Sequence, residues 1–139
     1  MLAENLTSET VERNYRSASR QPLRIVDEEA VAVAVALNEL VFNALKHKTT
    51  EAGEKKVRIT LREEEEYAEI RITNHGLLPA RFDFARGLGV SDGLDLVRTL
   101  ILQPGSVVNF YSRDEEVEVV LTLSPPLLAA SVVEDTPFE

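Results

Sequence analysis

The sequence predicts an α+β fold, a two-layer sandwich in which helices cover one face of a mixed, mostly antiparallel sheet. Three observations support this fold class. Two apolar segments with helix start signals begin near residues 27 and 93, strands precede and follow them, and those strands alternate apolar and polar residues. Such alternation is typical of antiparallel sheets with one face in solvent, so we expect helices to cover the other face.

The first part of the chain contains two short strands and a long helix. TVERNYRS is interpreted as an edge strand and PLRIV, residues 22–26, as a second short strand. Asp27 then suits a helix N-cap, and Glu28 and Glu29 follow in the first turn, where negative charge is favourable. The run AVAVAVAL fits a strand as well as a helix by periodicity alone. The cap and the length favour a helix that ends near Lys46.

A hairpin and a loop follow the first helix. Residues 51–56, EAGEKK, are interpreted as a turn, and VRITLREEEEYAEIRIT then alternates as two strands. The acidic run at residues 63–66 is assigned to the hairpin tip, where a solvated charge cluster is typical. Residues 74–92 contain several glycines and a proline and are interpreted as a loop.

The rest of the chain contains a second helix and a second hairpin. GLDLVRTLIL begins a helix near Gly93, which ends before Pro104. SVVNFYS and EVEVVLTL form the hairpin. The remaining tail has no periodicity. We therefore expect residues 1–123 to form a single domain and residues 124–139 to be a poorly ordered C-terminal extension.

Composition excludes several classes of function. The 139-residue chain has a formal net charge of −9, whereas a nucleic-acid partner requires clustered Lys and Arg. It has no cysteine, which excludes disulfides and thiolate metal sites and is typical of a reducing cytoplasm. No run of about 18 apolar residues and no signal peptide is visible, so we expect a cytoplasmic protein without membrane contact by this segment.

The most informative segment is ALNELVFNALKHKTT, in which polar residues share one face of the first helix. Glu39, Asn43, Lys46 and His47 lie at i, i+4, i+7 and i+8. One interpretation is the exposed face of an amphipathic helix. The alternative is a binding site, because Asn is a poor helix former. The residue types suit a metal-bound polyphosphate: Asn43 can give Mg²⁺ an oxygen ligand, Lys46 can contact phosphate, and Glu39 can orient or deprotonate a nucleophile.

Two glycine-containing segments suggest further parts of a site. In ITNHGLLP, a strand runs into Asn74 and Gly76, which lets a side chain and the backbone meet a flat ligand edge together; a bare turn is the alternative. In RGLGVSDGLDLVRTL, Gly87, Gly89 and Gly93 precede and open a helix, whose free N–H groups bind anions; a plain loop is the alternative. The spacing matches neither the dinucleotide fingerprint nor a P-loop.

In this order and spacing, the three segments resemble the ATP-binding domain (the GHKL, or Bergerat, fold) shared by sensor histidine kinases, gyrase-type ATPases, a class of heat-shock chaperones and mismatch-repair ATPases. NELVFNALKH is similar to the N box, ITNHGLLP to the first glycine box and GLGVSDGLDLVRTL to the second. The chain looks most like the catalytic domain of a bacterial sensor histidine kinase. The resemblance covers residues 23–123 and implies about three helices on one sheet face, with ATP between the helix layer and a lid.

The resemblance also implies roles for individual residues. Asn43 would coordinate Mg²⁺, Lys46 and His47 would reach the phosphates or the ribose, and Glu39 lies where related ATPases hold a catalytic carboxylate. Asn74 lies where the family has an Asp that accepts a hydrogen bond from the adenine amino group. The remaining nucleotide-binding positions are Gly76 beside the base and Gly87, Gly89, Gly93 and Leu94 in the lid and the helix start.

Three departures from the family pattern bear on activity. Asn74 offers an uncharged acceptor in place of the Asp, which weakens the expected hydrogen bond. Ser91 stands where glycine is usual, and Asp92 and Asp95 add negative charge near the expected phosphates. Only residues 77–88 separate the two glycine boxes, so the lid is short.

The resemblance predicts a Mg²⁺-ATP-binding catalytic domain of a two-component sensor histidine kinase. It would donate the γ-phosphoryl group to a histidine on a separate dimerisation segment and serve a response regulator, as the cytoplasmic end of a larger sensor. Its length favours an alternative, a free-standing anti-sigma-factor-type serine kinase. Its departures from the pattern favour a degenerate nucleotide-binding interaction domain. The predicted cofactors are ATP and Mg²⁺; the predicted partners are a phosphoacceptor-histidine dimerisation domain and a response regulator.

Overall fold

The computed structural model describes residues 11–19, 22–47, 57–101 and 103–130, without the side chains of residues 47 and 130. In these parts of the chain, two sheets accompany two helices. The strands are β1 (Val11–Ser17), β2 (Leu23–Ile25), β3 (Val57–Glu63), β4 (Ala68–His75), β5 (Ser106–Arg113), β6 (Glu116–Leu123) and β7 (Leu128–Ala130). The helices are α1 (Asp27–His47) and α2 (Asp92–Leu100).

The main sheet has the strand order β1-β3-β4-β6-β5. Strand β1 runs parallel to β3, and the other neighbours are antiparallel. Ile72 pairs with Ile59 on one side and Val119 on the other, and both helices pack against this apolar face. The α+β prediction with helices on one face is therefore confirmed. The resemblance implied about three helices, and the described residues contain two.

The sequence assigned Asp27 to the N-cap; helix α1 begins at Asp27 itself and carries Asp27, Glu28 and Glu29 in its first turn. Its buried residues recur every three or four positions, so one side faces the sheet; they are Val33, Ala36, Leu40 and Ala44. The helix ends at His47, and the predicted turn at residues 51–56 lies outside the described residues. Neither α1 nor α2 is long and apolar enough to cross a membrane.

The core forms where α1 and α2 pack together on β3, β4 and β6. Leu40 of α1 and Ile72 of β4 are almost completely buried, as is Val97 of α2. Burying a side chain of this size contributes about 1.5–3 kcal/mol to folding. This packing fixes the two helices relative to β4, and the candidate site lies among these three elements.

The segment after residue 123 corrects one prediction. Strand β7 pairs antiparallel with β2, and Leu127 and Leu128 are buried against Val33 and Leu121. Residues 124–130 are therefore part of the folded core rather than a poorly ordered tail. Residues 127–130 form an apolar run that is too short to show the alternation of a strand, and the partner strand, β2, lies near the other end of the chain. Residues 131–139 lie outside the described part, and for them the extension stays a prediction.

The sheet face opposite the helices is polar. There Arg71 contacts Glu69 at 3.0 Å and Glu118 at 2.9 Å. The hydrogen bond that Arg71 donates to Glu69 raises the pKa of Arg71 above its ordinary value, against a smaller opposing effect of desolvation. These pairs lie across the sheet from the helix layer.

Candidate functional site

Asn74 lies inside β4, although the sequence assigned residues 74–92 to a loop. It is paired with Val117 in the sheet and points to the same face as Ile72, so it is only 5% exposed. Its Nδ2 donates to the carbonyl of His75 at 3.3 Å. This bond orients the amide, and Oδ1 is the acceptor that the side chain can offer to a ligand.

A cavity of about 330 Å³ opens beside Asn74. Asn43 reaches it from α1, and the other lining residues are mostly apolar: Leu77, Leu78, Pro79, Phe82, Gly89, Val90, Ser91, Leu94 and Val117. An apolar cavity with two amide side chains suits a flat ligand whose edge carries a few hydrogen-bonding groups. We call it the first cavity.

The second cavity, of about 370 Å³, adjoins the first. The two share Asn43, Val90 and Ser91. The remaining lining residues of the second cavity are Glu39, Phe42, Lys46, Asp92 and Gly93. It is therefore more polar than the first and carries one cation and two carboxylates. Asn43 stands where the two cavities meet.

The first turn of α2 forms one wall of the second cavity. Ser91 is the N-cap, and its Oγ accepts from the backbone N–H of Leu94 at 3.2 Å. Ser91, at a position where the resemblance implies a glycine, thus stabilises the helix start. A Cβ built on Gly93 would lie 2.5 Å from Oε1 of Glu39. A glycine at this position is what lets the Glu39 carboxylate lie against α2.

The two aspartates of α2 have different positions. Asp92 lines the second cavity, whereas Asp95 does not line either cavity. Asp95 instead accepts from Nη2 of Arg98 at 2.9 Å. Of the two aspartates that the sequence analysis placed near the expected phosphates, only Asp92 therefore adds negative charge to the second cavity.

Two aromatic side chains of residues 77–88, the predicted lid, pack on the sheet, whereas others, such as Leu77 and Arg86, are exposed. Phe82 and Phe84 contact Phe110 of β5, with ring centroids 4.9 and 5.0 Å apart. Asp83 and Leu88 exchange two backbone hydrogen bonds of 2.9 Å, which makes residues 83–88 a small hairpin. We call these residues the lid hairpin.

The predicted glycines divide into three groups. Gly89 lines the first cavity with φ +71°, and an added Cβ would come within 3.3 Å of the Phe82 backbone. Gly87 lies in the lid hairpin and lines neither cavity. Gly76 is buried, and its N–H donates to the carbonyl of Glu115 at 2.8 Å, so it closes the end of β4 against the β5–β6 hairpin.

The structure brings most of the predicted site residues together. Glu39, Asn43, Lys46, Asn74, Gly89, Gly93 and Leu94 all line the two cavities. His47 is the last residue of α1, and its side chain lies outside the described part. Sequence reasoning missed the apolar walls, chiefly Phe42, Phe82, Val90 and Val117. Isolated apolar residues on different elements carry no pattern that marks them as neighbours.

The donors around the second cavity fit a hard cation. Asn43, Glu39 and Asp92 all offer oxygen atoms, which Mg²⁺ prefers. Among the described residues, no group of three or more His, Cys, Asp and Glu side chains could hold a metal alone. A magnesium ion here would need additional oxygens from a ligand, as in sites where Mg²⁺ is bound together with phosphates.

Comparisons with known proteins identify the family and the fold. The family profile described as a histidine kinase-like ATPase domain matches residues 3–89. No curated protein matched the sequence significantly. The fold is similar to the catalytic domain of the histidine kinase ThkA (TM-score 0.64, 16% identity, 88% of this chain and 84% of that one), a kinase also solved in complex with the response regulator protein TrrA.

Two further solved structures have the same fold. The histidine kinase domain of the Erythrobacter litoralis EL346 blue-light activated histidine kinase matches with a TM-score of 0.64 and 18% identity over 91% of this chain and 61% of that one. Full-length ShkA in complex with AMPPNP matches with a TM-score of 0.60 and 22% identity over 94% of this chain and 28% of that one. At these identities the likeness shows the fold alone.

Proposed function

Because this chain belongs to the family of histidine kinase-like ATPase domains, we propose that it binds Mg²⁺-ATP in the two adjoining cavities and transfers the γ-phosphoryl group to a histidine of a separate dimerisation segment. One observation carries the proposal: Asn43 of α1 and Asn74 of β4, remote in sequence, line the same cavity. That cavity adjoins a polar one at the N-terminus of α2. This arrangement suits a ligand with a flat base at one end and phosphates at the other.

In the proposed binding mode, adenine occupies the first cavity. Its rings would contact the apolar walls, among them Phe82, Leu94 and Val117. Its exocyclic amino group would donate to Oδ1 of Asn74. Because the Asn74 side chain is buried and its Nδ2 is engaged with the His75 carbonyl, its acceptor is held in one orientation. A fixed acceptor of this kind favours adenine over guanine, which lacks an amino group at that position.

The triphosphate would occupy the second cavity. Lys46 would neutralise part of its charge, and the first turn of α2 would contribute its free N–H groups and the positive end of its dipole. Asn43 would hold Mg²⁺ where the cavities meet. When bound, Mg²⁺ would screen the phosphate charge and fix the conformation of the triphosphate. Asp92 opposes phosphate binding electrostatically, so we expect a strong dependence on the cation.

The transfer step exchanges one bond to phosphorus for another. The acceptor nitrogen bonds to the γ-phosphorus while the bond from that phosphorus to the β,γ-bridging oxygen breaks, and ADP retains the electron pair. This chain would contribute chiefly by positioning and charge compensation. Glu39 borders the second cavity and would orient the acceptor and receive its proton.

A serine acceptor is the second candidate, as in an anti-sigma-factor-type kinase. The position of Glu39 favours it, because a carboxylate beside the second cavity suits a hydroxyl, which needs a base more than a neutral imidazole does. The third candidate, a degenerate domain that binds nucleotide poorly and serves as an interaction surface, is favoured by Asp92 at the second cavity. Each candidate predicts a different outcome of transfer.

Titration calorimetry with a non-hydrolysable ATP analogue, with and without Mg²⁺, tests the nucleotide binding that the two kinase candidates share. Asn43→Ala is expected to abolish the Mg²⁺-dependent part of binding. Asn38→Ala is the matched control: Asn38 is also on α1 but is exposed and lines neither cavity. Binding at wild-type strength in Asn43→Ala would remove Asn43 from the metal site. No binding by the wild-type chain would leave only the interaction-domain candidate.

Radiolabelled ATP then separates the two kinase candidates. The chain would be incubated with a histidine-bearing dimerisation domain or with a serine-bearing regulator. Phosphate on histidine is released by acid, whereas phosphate on serine survives. Acid-labile label on the dimerisation domain is the expected result. Acid-stable label on the regulator would establish the serine kinase instead.

A further inference from the structure

Arg98 of α2 contacts the lid hairpin from outside both cavities. Its Nη2 and Nε donate to Oδ1 of Asp95 at 2.9 and 3.2 Å. Its Nη1 donates to the carbonyl of Ala85 at 3.5 Å. It does not line the first or the second cavity. The guanidinium therefore joins α2 to residues 83–88 without touching the proposed ligand site.

Gly87 allows the lid hairpin to come this close to Arg98. A Cβ built on Gly87 would lie 2.9 Å from Nη2 and 3.1 Å from Cζ of the guanidinium. Gly87 also has φ +74°, a conformation that side chains disfavour, and its N–H donates to the carbonyl of Phe84 at 3.1 Å. The flat guanidinium thus lies against bare backbone at the tip of the lid hairpin.

The lid hairpin is held at two points. Its base is anchored to the sheet through Phe84, whose ring contacts Phe110. Its tip is anchored to α2 through Arg98. Residues 89–91 leave the hairpin directly and line the cavities. A movement of the tip away from Arg98 would therefore carry part of the cavity wall with it.

We propose that Arg98 is a positioning residue that keeps the lid closed over bound nucleotide and slows its release; the functional half of this statement rests on the proposed function above. Asp95 orients the guanidinium, and the remaining nitrogen, Nη1, donates to the Ala85 carbonyl. A lysine cannot reproduce both contacts, because its single ammonium group lacks the planar set of N–H donors with which the guanidinium reaches Asp95 and Ala85 together. The role depends on shape as well as charge.

Limited trypsin digestion without nucleotide tests the anchoring itself. Arg86 lies exposed in the lid hairpin and is a cleavage site. In R98Q we expect cleavage after Arg86 to be about tenfold faster, because cleavage follows the population of the open lid when opening is fast. R98K is expected to behave like R98Q. Cleavage of both variants at the wild-type rate would overturn the anchoring, and wild-type behaviour of R98K alone would overturn the role of the planar guanidinium.

R71Q is the matched control. Arg71 is about as exposed as Arg98, with 40% against 36% of its side chain accessible, and also has close acidic partners, Glu69 and Glu118. It lies on the sheet face away from the helix layer and does not contact the lid. R71Q is therefore expected to lose comparable ion pairs with no change in cleavage after Arg86. Equal acceleration in both variants would mean a general loss of stability.

Release of a fluorescent ATP analogue, chased with ADP in a stopped-flow instrument, tests the functional half. R98Q is expected to release it about tenfold faster than the wild type, with the same urea midpoint as R71Q. Faster cleavage with unchanged release would refute the link between lid and nucleotide. If the wild-type chain binds no analogue, the proposed function fails, while the cleavage rates still decide whether Arg98 holds the lid.

Discussion

Replacing Asn74 by aspartate introduces the residue that the family resemblance predicts at this position. The change is expected to affect nucleotide binding and folding stability in opposite directions. The carboxylate would be a charged acceptor for the adenine amino group. It would also remove the Nδ2 donor that contacts the His75 carbonyl at 3.3 Å and place negative charge beside that oxygen. The side chain is only 5% exposed, so little water is available to solvate the new charge.

These two effects have opposite signs. Losing a hydrogen bond and leaving a buried group unsatisfied costs about 1–3 kcal/mol of folding free energy. A hydrogen bond to a charged acceptor is about 1 kcal/mol stronger than one to a neutral acceptor, which corresponds to roughly fivefold tighter binding. We therefore expect Asn74→Asp to bind the ATP analogue about as tightly as the wild type or up to fivefold more tightly, and to be less stable when free.

The stability loss should depend on pH. Burial raises the pKa of the introduced carboxyl above its unfolded value of about 3.9. The neutral form, which can still donate to the His75 carbonyl, is tolerated at low pH. Destabilisation therefore appears as the pH rises above about 4 and grows until the pH passes the folded pKa. The variant should differ more from the wild type at pH 7.5 than at pH 4.5.

Urea unfolding at these two pH values and titration calorimetry at pH 7.5 check the expectation. Asn109→Asp is the control, because Asn109 is an exposed residue of β5 and gains the same charge without burial. Unchanged stability of Asn74→Asp at pH 7.5 would refute the burial argument. A large loss of analogue affinity in the folded variant would mean that Asn74 does not contact the adenine amino group.

Two further predictions follow from the packing. Gly93→Ala places a methyl group 2.5 Å from Oε1 of Glu39. We expect the affinity for the ATP analogue to fall severalfold in calorimetry while the urea midpoint changes little. Adding Glu39→Ala to this variant should recover part of the lost affinity. Leu127→Ala should lower the free energy of unfolding by about 2–5 kcal/mol in urea titrations, since a buried Leu is truncated. Leu77→Ala, at an exposed position, is its control. An equally small decrease in the free energy of unfolding in both variants would mean that residues 124–130 are not part of the folded core.

The local elements were predictable because their signals are local. The start of α1 follows from Asp27 and two more acidic residues, and the two hairpins from alternation around short polar tips. The family resemblance came from three segments in order, and the family is confirmed. Gly93 suggested the start of the second helix, but α2 begins one residue earlier, at Asp92, and Ser91 is its cap. Periodicity and capping operate within a few residues, so a linear reading can detect them.

The candidate site was predicted in its polar half and not in its apolar half. Asn43 stood out because Asn is a poor helix former, and Asn74 because a strand runs directly into it and Gly76. Phe82 and Val117 did not, since single apolar residues have many possible neighbours. The assignment of Gly87 to the nucleotide is not matched by the cavity linings; its lack of a side chain serves the contact with Arg98.

By itself, the sequence determined the fold class, the boundaries of most elements and the polar residues worth testing. Only the tertiary structure decided that β7 pairs with β2, that β1 runs parallel to β3, and that Arg98 reaches the lid hairpin. Each of these contacts joins two segments of the chain, and no sequence pattern in either segment identifies the other as its partner. They form because the packed helices and sheet bring those parts into reach, and the apolar surface buried there offsets the entropy of ordering them.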